Sequence, residues 1–153
     1  MTAPPHAGPP RTAIPPLVLI YGVLGLAPFL APPLIGYLAP DLSALTATAL
    51  ALYGGLILSF LGGARWGVAI TEARPRSAVV TLAMIPTLVG LALLMLPPSA
   101  QTAKLAGLAG ALTVHLLWDL RSPGLPSWYP CLRILLTAGA VLGLLAGAAL
   151  LRG

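Results

Sequence analysis

Charged side chains are nearly absent from this chain: eight Lys and Arg and three Asp and Glu in 153 residues, or 7%. Soluble domains carry about 25%. Here 58% of residues are hydrophobic and the mean hydropathy is +0.98, which excludes a water-soluble fold. Cysteine occurs once, as Cys131, so no internal disulfide can form, and its place at the start of a predicted span points to an inert, lipid- or protein-packed thiol. Histidine occurs twice, and His6 falls in the N-terminal segment, which leaves too few ligands for a bis-histidine haem within one chain. Metal ligands at a recognisable spacing are missing, and no cofactor is expected. The net charge of +5 and pI near 10.2 would suggest nucleic acid in a soluble protein. A phosphate-binding surface needs clustered charge, whereas these basic residues are spread along the apolar runs. They serve to orient helices and to contact anionic lipid. The expected partner is the lipid bilayer, not nucleic acid.

What the chain does have is long apolar runs. A hydrocarbon core about 30 Å thick needs about 20 apolar residues per helix, and five stretches qualify: Leu17 to Leu38, Leu42 to Gly63 with a continuation toward Thr71, Ala78 to Leu96, Ala103 to Asp119, and Pro130 to Leu151. The fold class predicted is all-α, a polytopic transmembrane bundle of five spans. Pro28, Pro32 and Pro33 bend or split the first span and Pro86 kinks the third, because each proline removes a backbone donor. Residues 1–16 read as a disordered Pro-rich tail and residues 17–152 as one transmembrane domain. A cleavable signal peptide is the competing reading of the start, but Pro28, Pro32 and Pro33 stand where a small-residue cleavage site is needed.

An odd number of crossings puts the termini on opposite faces. The face shared by the N-terminus and the second and fourth loops holds Arg11, Arg65, Arg74, Arg76, Arg121 and Arg133, while the other holds Lys104 and Arg152. Basic residues stay cytoplasmic, which predicts N-terminus in and C-terminus periplasmic in a bacterial inner membrane. Trp66, Trp118, Trp128, Tyr129 and Arg133 are expected at the cytoplasmic interface.

Helices in lipid associate where small residues let backbones approach. The second span has such residues at every fourth position: Ser43, Ala47, Ala51, Gly55, Ser59, Gly63 and Gly67. The fourth has Ala103, Gly107 and Ala111, continuing to His115 and Asp119, and the fifth has Gly139, Gly143 and Gly147. These ridges are expected contact faces, within the bundle, in a homo-oligomer or in a larger membrane complex.

Ionisable residues at membrane depth are functional candidates because burial is costly without a partner. They are Arg65, Glu72, His115, Asp119 and Arg133. His115 and Asp119 are four apart and share a helix face, and Arg65 lies near the same end of the second span. An Arg65 to Asp119 ion pair beside His115 would either staple two helices or form a proton-handling or ligand pocket. Against it, Arg65 is two residues from Gly63, on the face opposite the small ridge, and can snorkel to headgroups. A Ser59–His115 dyad lacks the strained turn that would activate a nucleophile. The glycine-rich run Leu61 to Gly67 lacks the strand and lysine of a phosphate loop.

Tyr53-Gly54, the run Ser59-Phe60-Leu61-Gly62-Gly63-Ala64-Arg65-Trp66-Gly67, Asp119 with Arg121, Pro126 with Trp128-Tyr129, and Leu132-Arg133 ahead of Leu136-Thr137 together resemble domain-of-unknown-function family 3429. The likeness covers Tyr21 to Leu151. It implies a multi-pass membrane protein without an established activity, in a family that includes mitochondrial as well as bacterial inner-membrane proteins. Three functions follow in order: a non-enzymatic scaffold or accessory subunit, a small transporter or proton-linked carrier using the helices broken at Pro28 and Pro86, and an enzyme acting on lipid or quinone. Five spans do not divide into equal halves, and no internal repeat supports the carrier.

Overall fold

The computed structural model describes residues 13–151, and every regular element among them is helical. Most of the predicted tail, and Arg152, lie outside the described residues. Five helical columns match the five expected crossings. The first is broken into α1 (Pro16–Leu24) and α2 (Ala27–Leu38), and a 3₁₀ turn at Pro40–Leu42 leads into α3 (Ser43–Ile70). The third column is broken into α4 (Ser77–Leu82) and α5 (Ile85–Leu94); a second 3₁₀ turn, Pro98–Ala100, opens α6 (Gln101–Arg121), and α7 (Tyr129–Leu150) completes the bundle.

Four columns are long and apolar enough to cross a membrane. The remaining one, α6, has 21 residues, about 31 Å at about 1.5 Å per residue. Its apolar run is interrupted by Lys104, His115 and Asp119, all of which are buried against the bundle. The 28-residue α3 runs on beyond Gly63 to Ile70, through the expected continuation toward Thr71, and is longer than the hydrocarbon core is thick. It packs against α2, α5, α6 and α7. The core is leucine: Leu50 and Leu58 from α3, Leu105, Leu108 and Leu112 from α6, and Leu144 from α7 are fully buried.

The first and third columns break near Pro28 and Pro86 as expected, and a neighbouring helix meets three carbonyls beside the prolines. Pro28 has no N–H, and the N–H of Phe29 tightens onto Leu26, so the carbonyl of Gly25 is left open and accepts a 2.9 Å hydrogen bond from Tyr53 Oη. Pro32 and Pro33 stay inside α2 without ending it. Pro33 has no donor for the carbonyl of Phe29, and that oxygen is pressed against Gly143 of α7 so closely that a Cβ there would collide with it. At the second break, the oxygen of Ala83, three residues before Pro86, would lie 2.7 Å from a Cβ added at Gly62. Close Cα–H to carbonyl contacts of this kind join helices in membranes. Tyr53→Phe removes one of the three and is expected to cost about 1 kcal/mol of stability in detergent, read as a lower unfolding midpoint. The edge-to-face packing of ring 53 on Phe29, 4.9 Å between centroids, would survive the change.

The small ridge of α3 splits in two. Ala47, Ala51 and Gly55 are buried, the last against Leu94, whereas a Cβ at Gly63 or Gly67 would meet nothing within 4 Å. Steps of four residues turn about 40° beyond a full circle, at about 100° per residue, so the ridge spirals off the contact face. Leu58, Gly62, Arg65 and Ala69 replace it there. The expected opposition between Arg65 and the ridge thus has a simple resolution: Arg65 stays on the packed face and the glycines leave it. Ser59, half-buried, hydrogen-bonds Thr87 across to α5 at 3.0 Å. Gly107 receives Leu93, Gly139 receives Leu26 and Gly147 receives Leu50, so these ridges serve contacts inside the bundle.

Candidate functional site

One carboxylate gathers three helices. Asp119 lies near the end of α6, two residues before its last, and is 2% exposed. From α7, Arg133 Nε donates to its Oδ2 at 2.7 Å; from α3, Arg65 Nε lies 3.3 Å from Oδ1; one turn earlier on α6, His115 Nδ1 lies 3.5 Å from Oδ2. Tyr129, the first residue of α7, adds a long hydrogen bond from its hydroxyl to Oδ2 at 3.4 Å. Arg65 is held from two other sides. Its guanidinium stacks 4.9 Å over the Trp118 ring and an Nη donates to Ser122 Oγ, which in turn donates to the Trp118 carbonyl at 2.8 Å. The His115 ring meets the Trp118 ring edge to face at 5.4 Å.

The three residues expected to converge, Arg65, His115 and Asp119, do so, and the cluster is larger than the sequence suggested. Arg133, expected at the interface, is 6% exposed and makes the shortest ion pair of the group. Its register gives it away in retrospect: it shares a heptad stripe with Thr137, Ala140, Leu144 and Gly147, all buried. Trp118 and Tyr129 sit at the Arg-rich end as interfacial aromatics would, yet both also touch the cluster. Trp66 is 41% exposed and faces outward, and Trp128 packs edge to face on Tyr129 at 6.0 Å. Glu72 makes no ion pair among the described residues.

Two guanidiniums face one carboxylate, so the cluster carries at least one positive charge in excess. Several of its buried polar atoms lack a hydrogen-bond partner: Asp119 Oδ1, both ring nitrogens of His115, and Arg133 Nη2, together with Thr137 Oγ1 one turn along α7. Arg65 Nε is at ion-pair distance from Oδ1 without the alignment of a hydrogen bond. The arrangement holds charge by proximity and is not saturated. Among the described residues no three His, Cys, Asp or Glu side chains gather to hold a metal.

Two cavities flank the cluster. A groove of about 570 Å³ between α3, α4–α5 and α6 is lined by apolar side chains such as Leu58, Ile85, Pro86 and Val114, and ends at His115 and Trp118. A polar cavity of about 230 Å³ lies at the Arg-rich end, lined by Arg65, Glu72, Arg76, Arg121 and Ser122, again with Trp118 in its wall.

Comparison with known proteins agrees with the sequence resemblance. The family described as Protein of unknown function (DUF3429) matches residues 14–149. Transmembrane protein 69 of Xenopus tropicalis is 38% identical over 131 residues, covering 82% of this chain and 51% of the frog protein. Transmembrane protein 69 of Mus musculus is 32% identical over 117 residues, covering 74% of this chain and 47% of the mouse protein. The chain therefore spans about half the length of these relatives, and no solved structure matches it. With nearly all of its membrane-spanning bundle inside the match, the chain belongs to the DUF3429 family of multi-pass membrane proteins.

Proposed function

We propose that the protein is a non-enzymatic scaffold or accessory subunit of a bacterial inner membrane, with its Arg-rich end and N-terminus in the cytoplasm. The observation that carries this reading is the single buried carboxylate of Asp119 shared by α3, α6 and α7. Charge spent on fixing three helices at one end resists the rocking that alternating access requires. Beyond His115 the buried face of α6 continues as Leu112, Ala109, Leu108 and Leu105, an apolar stretch that separates His115 from the next buried polar side chain, Lys104, at the far end of the helix. The open pair Gly63 and Gly67 leaves room on α3 for the backbone of another helix.

Purification in mild detergent is expected to bring down a stoichiometric membrane partner or a second copy. Gly63→Leu/Gly67→Leu is expected to release that partner without lowering thermal stability. A strictly monomeric protein with no partner would count against the reading.

A carrier is favoured by one observation, the two unpartnered ring nitrogens of His115 at the end of the groove. On that reading proteoliposomes would show flux that His115→Ala abolishes.

A further inference from the structure

We infer that the groove and the basic cavity together form a binding site for one anionic glycerophospholipid, with the phosphate among Arg65, Arg76 and Arg121 and an acyl chain lying between α3, α5 and α6. The two cavities share Trp118 as a common wall. One is apolar and the other basic, so the pair matches a molecule with a charged head joined to a hydrocarbon chain. Neither a free anion nor a neutral quinone would use both. The groove's volume of about 570 Å³ falls within the range of ligand sites, about 300–1,000 Å³.

The charge balance at the head end favours an anion. Arg65, Arg76 and Arg121 line the cavity against the single carboxylate of Glu72. Among the described residues every ion pair converges on Asp119, which leaves Arg76, Arg121 and Glu72 without one. Behind the wall, the cluster adds its own positive excess through Arg133. Guanidinium forks match phosphate oxygens in pairs, and the Ser122 hydroxyl lies in the same wall. Trp118 marks the depth at which headgroup gives way to hydrocarbon, where tryptophan is enriched. Arg65 Nε pairs with Asp119 while an Nη reaches Ser122 in the cavity wall, and the site stands or falls independently of the accessory reading above.

The test is native mass spectrometry of the purified full chain released from nanodiscs of mixed phosphatidylglycerol and phosphatidylcholine. Three variants and one competitor accompany it. The expected result is one retained phosphatidylglycerol per chain in preference to phosphatidylcholine. Arg76→Gln/Arg121→Gln is expected to weaken that preference about twenty-five-fold, at about fivefold for each basic residue lost near the headgroup. Arg74→Gln, which lines neither cavity, is expected to leave it unchanged. Gly110→Phe fills the groove, at a position where a Cβ would meet nothing within 4 Å, and is expected to reduce retention of the lipid. Equal retention of both lipids, or retention indifferent to the Arg76/Arg121 and Gly110 changes, would overturn the site. Displacement of the lipid by millimolar inorganic phosphate would also overturn it, because it would show an anion site that makes no use of the groove.

Discussion

Asp119→Asn is expected to lower the unfolding free energy in detergent by about 3–5 kcal/mol, the largest effect of any single substitution in this chain. The amide keeps the size of the carboxylate but removes the one negative charge that Arg65 and Arg133 share. Two guanidiniums then remain buried with no counter-charge, and the cost of burying an unpaired charge far exceeds that of losing one hydrogen bond. Because the three side chains come from three helices, the loss should be global. An SDS or thermal unfolding series would show one transition shifted downward, with α3, α6 and α7 equally accessible to protease. The converse variant sharpens the point. Arg65→Met/Asp119→Leu/Arg133→Met removes all three charges together and is expected to recover most of the lost stability, since well-packed apolar replacements of buried ion pairs are often neutral or stabilising.

Gly143→Ala is expected to cost about 1–3 kcal/mol, although alanine is the better helix former. The added Cβ would run into the backbone oxygen of Phe29, and a backbone cannot step aside as a flexible side chain does. It can be relieved only by moving α2 away from α7, which also loosens Phe29, 2% exposed and packed on Tyr53. Gly63→Ala is the matched control, with nothing within 4 Å of the new methyl. Its effect on the isolated protein should be neutral to slightly stabilising through helix propensity. Opposite signs for the same chemical change on two helices would separate packing from propensity.

The number of crossings and the helix breaks were legible in the sequence because both follow from strong local physics: runs of about 20 apolar residues, and prolines without a donor. The convergence of Arg65, His115 and Asp119 was legible from their common depth and the four-residue spacing on α6. The membership of Arg133 was not. As a basic residue five positions into α7 it reads equally well as an interfacial anchor, and only its heptad relation to Thr137 and Ala140 distinguishes a buried arginine from a snorkelling one. Tyr129 and Trp118 carry the same ambiguity, since an aromatic at the interface and an aromatic against an ion pair occupy the same sequence position. The fate of Gly63 and Gly67 was hidden for a geometric reason: a four-residue ridge is straight on paper and helical in space. Nothing in the composition foretold that the carbonyls of Gly25, Phe29 and Ala83, beside the prolines, would each be met by a residue of another helix, because such pairings depend on which helices are neighbours.

A double-mutant cycle between residues 119 and 133 bears most directly on the claim that one carboxylate ties the helices together. With Asp119→Asn, Arg133→Gln and the two combined, unfolded in the same micelles, the pair is expected to cost much less than the sum of the singles, with a coupling of about 1.5–3 kcal/mol. Strictly additive losses would contradict the account, since they would mean that Asp119 and Arg133 stabilise the bundle without acting on each other.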